Sequence, residues 1–191
     1  MMKTDIILAG VGGQGILSIA TVIGQAALEE GLYIKQAEVH GMSQRGGDVQ
    51  SNLRLSDRPI ASDLISLGQA DIIIAMEPME ALRYKEYLNP DGWIITSSNS
   101  FVNIPNYPDA ERIVAELQEM NNLVLIDTDK IGSENKMTRS VNMILLGAAS
   151  RALGSISFEK LCDSVRRIFA SKGEAVIDMN IKALEIGRNC K

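Results

Sequence analysis

Short runs of apolar residues alternate with longer amphipathic segments through the first two thirds of the chain. In the short runs the apolar residues are contiguous or alternate with a period of two, and many are β-branched, as in Asp71–Met76. The pattern predicts six strands, at Asp5–Ala9, Leu32–Val39, Asp48–Leu55, Asp71–Met76, Trp93–Thr96 and Leu123–Asp127.

The longer segments place apolar residues three and four positions apart, which is typical of helices with one buried face. They predict helices at Gln14–Glu30, Pro78–Leu88, Asp109–Asn121, Thr138–Leu153, Phe158–Phe169 and Glu174–Ile186. Gly31 is a natural end for the first helix, and Asn89-Pro90-Asp91-Gly92 predicts a turn after the second.

Strands with two apolar faces need helices on both sides of the sheet. We therefore expect a three-layer α/β/α Rossmann-like domain with a mainly parallel sheet and a helical C-terminal part. No linker, repeat or low-complexity tract interrupts residues 1–191, so the prediction is a single domain.

A glycine-rich turn follows the first predicted strand. Gly10, Gly12 and Gly15 fit the pattern G-x-G-x-x-G, between a strand and a helix as that motif requires. Glycines let backbone N–H groups approach a ligand closely, and the helix N-terminus adds partial positive charge. The turn predicts a phosphate-bearing ligand without identifying it, although the same turn also occurs at strand-to-helix junctions that bind nothing.

One candidate ligand is a nicotinamide dinucleotide. An NAD site needs an acidic residue about 20 residues beyond the glycine turn to bind the ribose hydroxyls. Glu38, 23 residues after Gly15, lies next to the end of the second predicted strand and could serve in that position.

The next segment makes the NAD interpretation less secure. It reads His40, Gly41, Met42, Ser43, Gln44, Arg45, Gly46, Gly47 and contains the chain's one histidine. Flanking glycines predict a shaped loop that presents Gln44 and Arg45, and an arginine there can bind a carboxylate or phosphate. The alternative is an ordinary surface loop.

Composition and charge make some classes of binding partner unexpected and indicate the cellular compartment of the chain. The chain has a formal net charge of −5, so a nucleic acid or an anionic membrane surface is not an expected partner. Its two cysteines, Cys162 and Cys190, lie far apart and cannot hold an iron–sulfur cluster unaided. With no secretory signal and no apolar stretch of about 20 residues, we expect a cytoplasmic protein.

No other catalytic signature is present, so we assign no catalytic residue and no metal ligand on this chain. Asp127 and Asp129 follow a predicted strand, where such a pair more often caps the next helix. A reactive cofactor is therefore expected on another chain.

The paired motifs at residues 10–15 and 41–47 resemble those of the gamma subunits of the 2-oxoacid:ferredoxin oxidoreductases. Asn142 to Gly147 resembles the family's Asn-containing helix, and Lys172-Gly173, Asn180, Ala183 and Gly187 resemble its C-terminal helix. The segment His40–Gly47 is most similar to that of the indolepyruvate branch of the family.

The resemblance implies a gamma-type domain that acts as an accessory subunit in the oxidative decarboxylation of an aryl 2-oxoacid to an acyl-CoA, with electrons passed to ferredoxin. It implies that the amides of Gly12, Gly13, Gln14 and Gly15 contact the phosphates of coenzyme A. It also implies that residues 40–47 face the substrate or a larger partner subunit, which carries thiamine diphosphate and iron–sulfur clusters. Alternatives are a stand-alone NAD(P)-dependent dehydrogenase and a nucleotide-sensing domain, and a homodimer of the isolated chain stays open.

Overall fold

The computed structural model describes residues 2–40 and 47–190. The described strands form one sheet in the order β2-β3-β1-β4-β5-β6. The strands are β1 (Lys3–Val11), β2 (Tyr33–His40), β3 (Asp48–Ser56), β4 (Ala70–Ala75), β5 (Leu88–Ser97) and β6 (Leu123–Ile126). The helices are α1 (Ile16–Glu29), α2 (Pro78–Arg83), α3 (Ala110–Gln118), α4 (Thr128–Glu134), α5 (Val141–Ala149), α6 (Phe158–Ile168) and α7 (Glu174–Asn189).

The expected α/β fold is confirmed, with one difference in the sheet. Strands β1, β4, β5 and β6 are parallel, whereas β3 lies between β2 and β1 and is antiparallel to both. A buried ion pair joins β3 to β1: Asp5 is directly opposite Arg54 and accepts two hydrogen bonds from its guanidinium, at 2.8 and 3.0 Å. Asp5 is fully buried, and its burial is made tolerable by this bidentate partner together with Lys3, whose Nζ lies 2.8 Å from Asp5 Oδ2.

Two apolar cores lie on opposite faces of the sheet, which confirms the three layers. Successive side chains of β1 point to opposite faces of the sheet: Ile6 and Leu8 belong to the larger core, and Ile7 and Ala9 to the smaller one. Helices α1, α5, α6 and α7 contribute to the larger core, while α2 and α3 cover the other face. The helical C-terminal part therefore completes one layer of the sandwich.

Two of the expected boundaries are wrong. The helix after β4 is α-helical only over Pro78–Arg83, followed by a 3-10 turn at Lys85–Tyr87. The turn expected at Asn89–Gly92 lies inside β5, where the register shifts so that Leu88 and Trp93 pair with Ala70 and Ile72. The turn-forming residues therefore make a bulge, whose Asn89 amide donates to Asp71 Oδ1 at 2.8 Å.

Helices α5 and α7 approach each other through glycines. A Cβ at Gly147 would run into the Leu184 carbonyl of α7, and a Cβ at Gly187 would run into the Ile144 carbonyl of α5. Contact between helix backbones at this point explains why glycine occupies both positions.

Candidate functional site

The candidate site lies at the edge of the sheet where the parallel strands end. The chain leaves β1 toward β2 on one side, while β4, β5 and β6 extend on the other, so β1 marks the topological switch point. Ligands of open α/β sheets bind at the carboxyl ends of strands at such a point. Residues 12–15, the glycine loop, join β1 to α1 there.

Backbone conformation explains the glycines of this loop. Gly13 and Gly15 have φ angles of 102° and 83°, in the left-handed region that favours glycine. The Gln14 side chain folds back, and its Oε1 accepts the Val11 N–H at 2.7 Å. It lies over Gly10, where a Cβ would come within 2.9 Å of that oxygen. The sequence motif therefore builds a tight turn that is braced by its own glutamine.

The four amides expected to contact phosphate are not equivalent. The Gly12 N–H donates to the Gly47 carbonyl at 2.8 Å, and the Gln14 N–H donates to the Val11 carbonyl at 3.1 Å. Within the described part of the chain, the N–H groups of Gly13, Gly15 and Ile16 make no hydrogen bond. They are among the amides that the N-terminus of a helix leaves without an intrahelical acceptor.

The hydrogen bond from Gly12 to Gly47 brings the two sequence motifs together, because Gly47 ends the second one. His40 is the last residue of β2. Gly41, Met42, Ser43, Gln44, Arg45 and Gly46 lie outside the described residues, so their roles at a substrate or partner interface stay predictions.

A cavity of about 400 Å³ lies on the β2–β3 side of the glycine loop. Apart from the loop glycines, the described residues that line it are apolar except for Glu38; they comprise Val11, Ile16, Leu17, Glu38 and Val49. Because β3 intervenes, the strand that carries Glu38 is the second neighbour of β1, roughly 10 Å away at the usual strand spacing. A dinucleotide-binding fold of the 3-2-1-4-5-6 strand order has these two strands adjacent.

A second cavity, of about 500 Å³, lies on the β4–β6 side of the same loop. It shares Gly13 and Gly15 with the first cavity, and most of its other walls are polar. The walls include Ser18, Met76, Asn99, Ser100, Phe101, Thr128, Asp129, Thr138, Arg139 and Asn142. Segments far apart in sequence meet here because β4, β5 and β6 end at the same edge.

A hydrogen-bond network fixes the floor of the second cavity. Asn99 Nδ2 donates to Asp127 Oδ1 at 2.9 Å, and Asn99 Oδ1 accepts from the Thr128 hydroxyl at 3.1 Å and the Asp129 N–H at 3.0 Å. Asp127 also caps α4 by accepting the Lys130 N–H. That backbone donor, followed by the Asn99 amide, lowers the pKa of Asp127. The capping role expected for the aspartates at 127 and 129 is thus carried by Asp127.

A buried carboxylate anchors the loop that forms one wall. Glu77 is fully buried after β4, and its Oε2 accepts the Glu80 N–H at 3.0 Å. Its Oε1 accepts the Phe101 N–H at 3.4 Å and the Tyr107 hydroxyl. Burial and this hydrogen bond raise the pKa of Tyr107. Residues 98–107 are consequently held against α2, with Phe101 facing the cavity.

Asn142 links α5 to the glycine loop. Its Nδ2 donates to the Gly15 carbonyl at 3.2 Å, and a Cβ at Gly15 would lie 2.6 Å from the same nitrogen. In the sequence, only the family resemblance pointed to Asn142. Asn99, Thr128 and Arg139 were missed altogether. The one signal for Asn99 and Thr128 was a polar residue shortly after a buried strand.

Two other features limit the chemistry of the described residues. Within residues 2–40 and 47–190, no group of three or more His, Cys, Asp or Glu side chains could hold a metal ion. Burial raises the pKa of the free thiols of Cys162 and Cys190.

Within residues 2–40 and 47–190, no helix is long and apolar enough to cross a membrane.

The fold and the glycine loop define an α/β protein with a glycine-rich turn at the switch point of its sheet. Comparison with known proteins gives the family: the family model of the pyruvate ferredoxin/flavodoxin oxidoreductases matches residues 5–190, and the chain belongs to that family.

Its relatives are subunits of oxidoreductase complexes. The indolepyruvate oxidoreductase subunit IorB of Archaeoglobus fulgidus is 32% identical, over 98% of this chain and 95% of the relative. The pyruvate oxidoreductase subunit PORC of Thermotoga maritima has a similar crystal structure, with a TM-score of 0.75 and 21% identity over 100% of this chain and 97% of that one.

A further solved structure is the 2-oxoglutarate:ferredoxin oxidoreductase of Magnetococcus marinus with 2-oxoglutarate, coenzyme A and succinyl-CoA bound. It matches with a TM-score of 0.74 and 23% identity, over 98% of this chain and 31% of that much longer chain. These comparisons confirm the family expected from the sequence. The chain is an accessory subunit of the 2-oxoacid:ferredoxin oxidoreductase type.

Proposed function

We propose that this chain serves an indolepyruvate-type oxidoreductase by holding the phosphates of coenzyme A at its glycine loop. The amides of Gly13, Gly15 and Ile16, at the switch point of the sheet, carry the proposal because they are donors without a partner in the described chain. The described residues leave space for a ligand there, since a Cβ at Gly13 would meet none of their atoms within 4 Å.

Gly12 and Gln14 then act mainly through loop shape, because their amides are already hydrogen-bonded within the chain. Their direct contact with a phosphate stays a prediction that requires these bonds to exchange. In this proposal the backbone positions the ligand, and no residue of this chain is assigned a catalytic role.

In this proposal the larger partner subunit carries thiamine diphosphate and the iron–sulfur clusters, and passes electrons to ferredoxin. Thiamine diphosphate supplies the carbanion chemistry of decarboxylation, and the clusters supply electron transfer. The aryl 2-oxoacid is inferred from the 32% identity to an indolepyruvate oxidoreductase subunit. Segment 40–47, whose end is bound to the glycine loop through Gly47, is assigned to the face toward that partner or its substrate.

Co-expression tests the assignment of partner and substrate. The tagged chain is purified with a large thiamine- and cluster-binding protein of the same organism, and the complex is assayed with indolepyruvate, CoA and a low-potential dye. We expect a brown complex with CoA-dependent dye reduction, and a colourless, inactive chain when it is purified alone. Dye reduction by the isolated chain would overturn the proposal.

Gly13→Asn tests the glycine loop itself. Asparagine tolerates a positive φ, so this variant keeps the turn while its side chain fills the space offered to the phosphate. We expect the Kd for CoA to rise at least about tenfold, because the phosphate loses backbone hydrogen bonds. Gly31→Asn is the matched control, since Gly31 has a φ of 73°, open space around it, and lies just beyond the far end of α1. Equal CoA affinity in both variants would remove the loop from the site.

NAD(H) titration separates the alternative functions. A stand-alone dehydrogenase requires NAD(H) binding that weakens in Glu38→Ala, whereas the accessory subunit requires CoA binding that does not depend on NAD(H).

A further inference from the structure

The two cavities beside the glycine loop differ in charge. Among the described residues that line the first cavity, Glu38 is the one with a charged side chain, and the other side chains there are apolar. The described lining of the second cavity contains one cationic side chain, Arg139, and one carboxylate, that of Asp129. Any ligand that spans the loop therefore meets different electrostatics at its two ends.

Arg139 is free to meet a ligand. It is exposed, it lies two residues before the start of α5, and it makes no ion pair with any described residue. Asp129 is held at the cavity floor by the bond from its N–H to Asn99. A guanidinium presents paired N–H donors that match the oxygens of a phosphate.

Coenzyme A, the proposed ligand, also differs in charge between its two ends. The pyrophosphate of coenzyme A lies between an adenosine that carries a 3′-phosphate and an uncharged pantetheine arm. A pyrophosphate on the amides of Gly13 and Gly15, which both cavities share, sends these two ends to opposite sides of the loop. A phosphate dianion is repelled by a carboxylate such as Glu38 and attracted by Arg139.

We infer that the second cavity binds the adenosine 3′-phosphate of coenzyme A, with Arg139 as the residue that selects the 3′-phosphate, and that the pantetheine arm runs along the first cavity. The inference rests on the proposed function, because it requires coenzyme A at the glycine loop. It makes Arg139 a specificity-determining residue that distinguishes coenzyme A from nucleotides without that phosphate.

The adenine base also has a surface to stack on. Phe101 lines the second cavity with 46% of its surface exposed, and its backbone is tied to the buried Glu77 carboxylate. An exposed aromatic ring is suited to stacking against a base without distinguishing 3′-phosphorylated from unphosphorylated adenosine.

Calorimetric titration of the full chain with CoA and with 3′-dephospho-CoA tests the inference. We expect the wild type to bind CoA about tenfold more tightly, as for one charge-assisted hydrogen-bond pair. Arg139→Gln should abolish this preference by weakening CoA alone. Phe101→Ala should weaken both ligands and keep the preference. Arg151→Gln, an exposed arginine that lines a cavity at the opposite edge of the sheet, is the control and should change neither affinity.

The outcomes separate the inference from the function on which it rests. CoA binding with no preference in the wild type, or a preference that persists in Arg139→Gln, overturns the inference and leaves coenzyme A at the glycine loop. Binding of neither ligand to the wild type, alone or in complex with the partner, overturns both. A preference abolished equally by Arg139→Gln and by Arg151→Gln would show non-specific attraction and would also overturn the assignment.

Discussion

Gly15 is the residue at which the glycine loop, α1 and α5 meet. Its φ of 83° and the 2.6 Å separation between an added Cβ and Asn142 Nδ2 leave no room for a side chain. We expect Gly15→Ala to lower the free energy of unfolding by about 2 kcal/mol, from left-handed strain and the contact with Asn142. Denaturant titration of the free protein measures this without reference to any ligand.

Gly24→Ala is the matched control for that measurement. Gly24 lies inside α1, and an added Cβ there would meet no atom within 4 Å, so alanine should leave stability unchanged or raise it by up to about 1 kcal/mol. Equal stability changes in the two variants would contradict a special requirement for glycine at position 15.

A second residue-scale prediction concerns alkaline pH. Burial in the smaller core, with the nearby Glu80 carboxylate, raises the pKa of Tyr84 from 10.0 to about 12. Between these values the unfolded chain has lost the phenolic proton and the native chain keeps it, so the unfolded state binds fewer protons and stability falls as pH rises. The contribution is complete below pH 10 and lost through pH 12.

Tyr84→Phe removes this titration. We expect the free energy of unfolding to fall less steeply with pH in the variant than in the wild type over that interval, with the two slopes equal at neutral pH. Chemical denaturation at a series of pH values gives both slopes, and parallel curves up to pH 12 would show that Tyr84 does not titrate as its burial implies.

At the scale of elements, the crossing of α5 and α7 depends on two glycines. A methyl group at Gly147 or Gly187 would overlap a backbone carbonyl of the other helix, and a helix backbone cannot move aside as the end of a side chain can. We expect either alanine substitution to lower the free energy of unfolding by about 1–3 kcal/mol or more. Thermal or denaturant unfolding of each single variant provides the measurement.

Gly154→Ala is the control for this crossing. Its added Cβ would lie 4.0 Å from the Ala152 carbonyl, an ordinary contact, so stability should change little. Unimpaired stability in Gly187→Ala would mean that the two helices separate at low cost and that their close approach is not needed.

Sequence patterns located nearly all the elements, and the exceptions have physical causes. The period of two marks β3 as a strand but carries no information about its neighbours. Its place between β2 and β1 follows from antiparallel pairing with both strands, to which the Asp5–Arg54 pair, 49 residues apart in sequence, adds a side-chain contact with β1. The turn-forming residues at Asn89–Gly92 lie inside a strand, because a β-bulge, like a turn, requires residues that allow a local bend of the backbone.

The candidate site was predictable only where it is local in sequence. The glycine loop is one continuous motif and was identified with the residues that form it. The second cavity is assembled from residues as distant as Ser18, Asn99 and Arg139, so only the sheet order brings them together.

At the scale of the whole molecule, the C-terminal helices are expected to unfold in the same transition as the sheet. The larger core is continuous from β1 through α1 to α7, and Leu184 and Val165 are fully buried in it. Because α6 and α7 bury their apolar side chains in the same core as the sheet, this continuity supports the prediction of a single domain over residues 1–191.

Trp93, the only tryptophan, reports on this transition directly. It lies on β5 beside Ala148 and Ala152 and close to Cys190, which follows α7, and it is 40% exposed. We expect its fluorescence and the far-UV ellipticity to change in one coincident transition on denaturant titration, as a two-state unit requires. Trp93→Phe, which should keep the ellipticity transition, controls for the origin of the signal. If fluorescence changed at lower denaturant than ellipticity, the C-terminal helices would form a separate, less stable unit, and the single-domain prediction would be wrong.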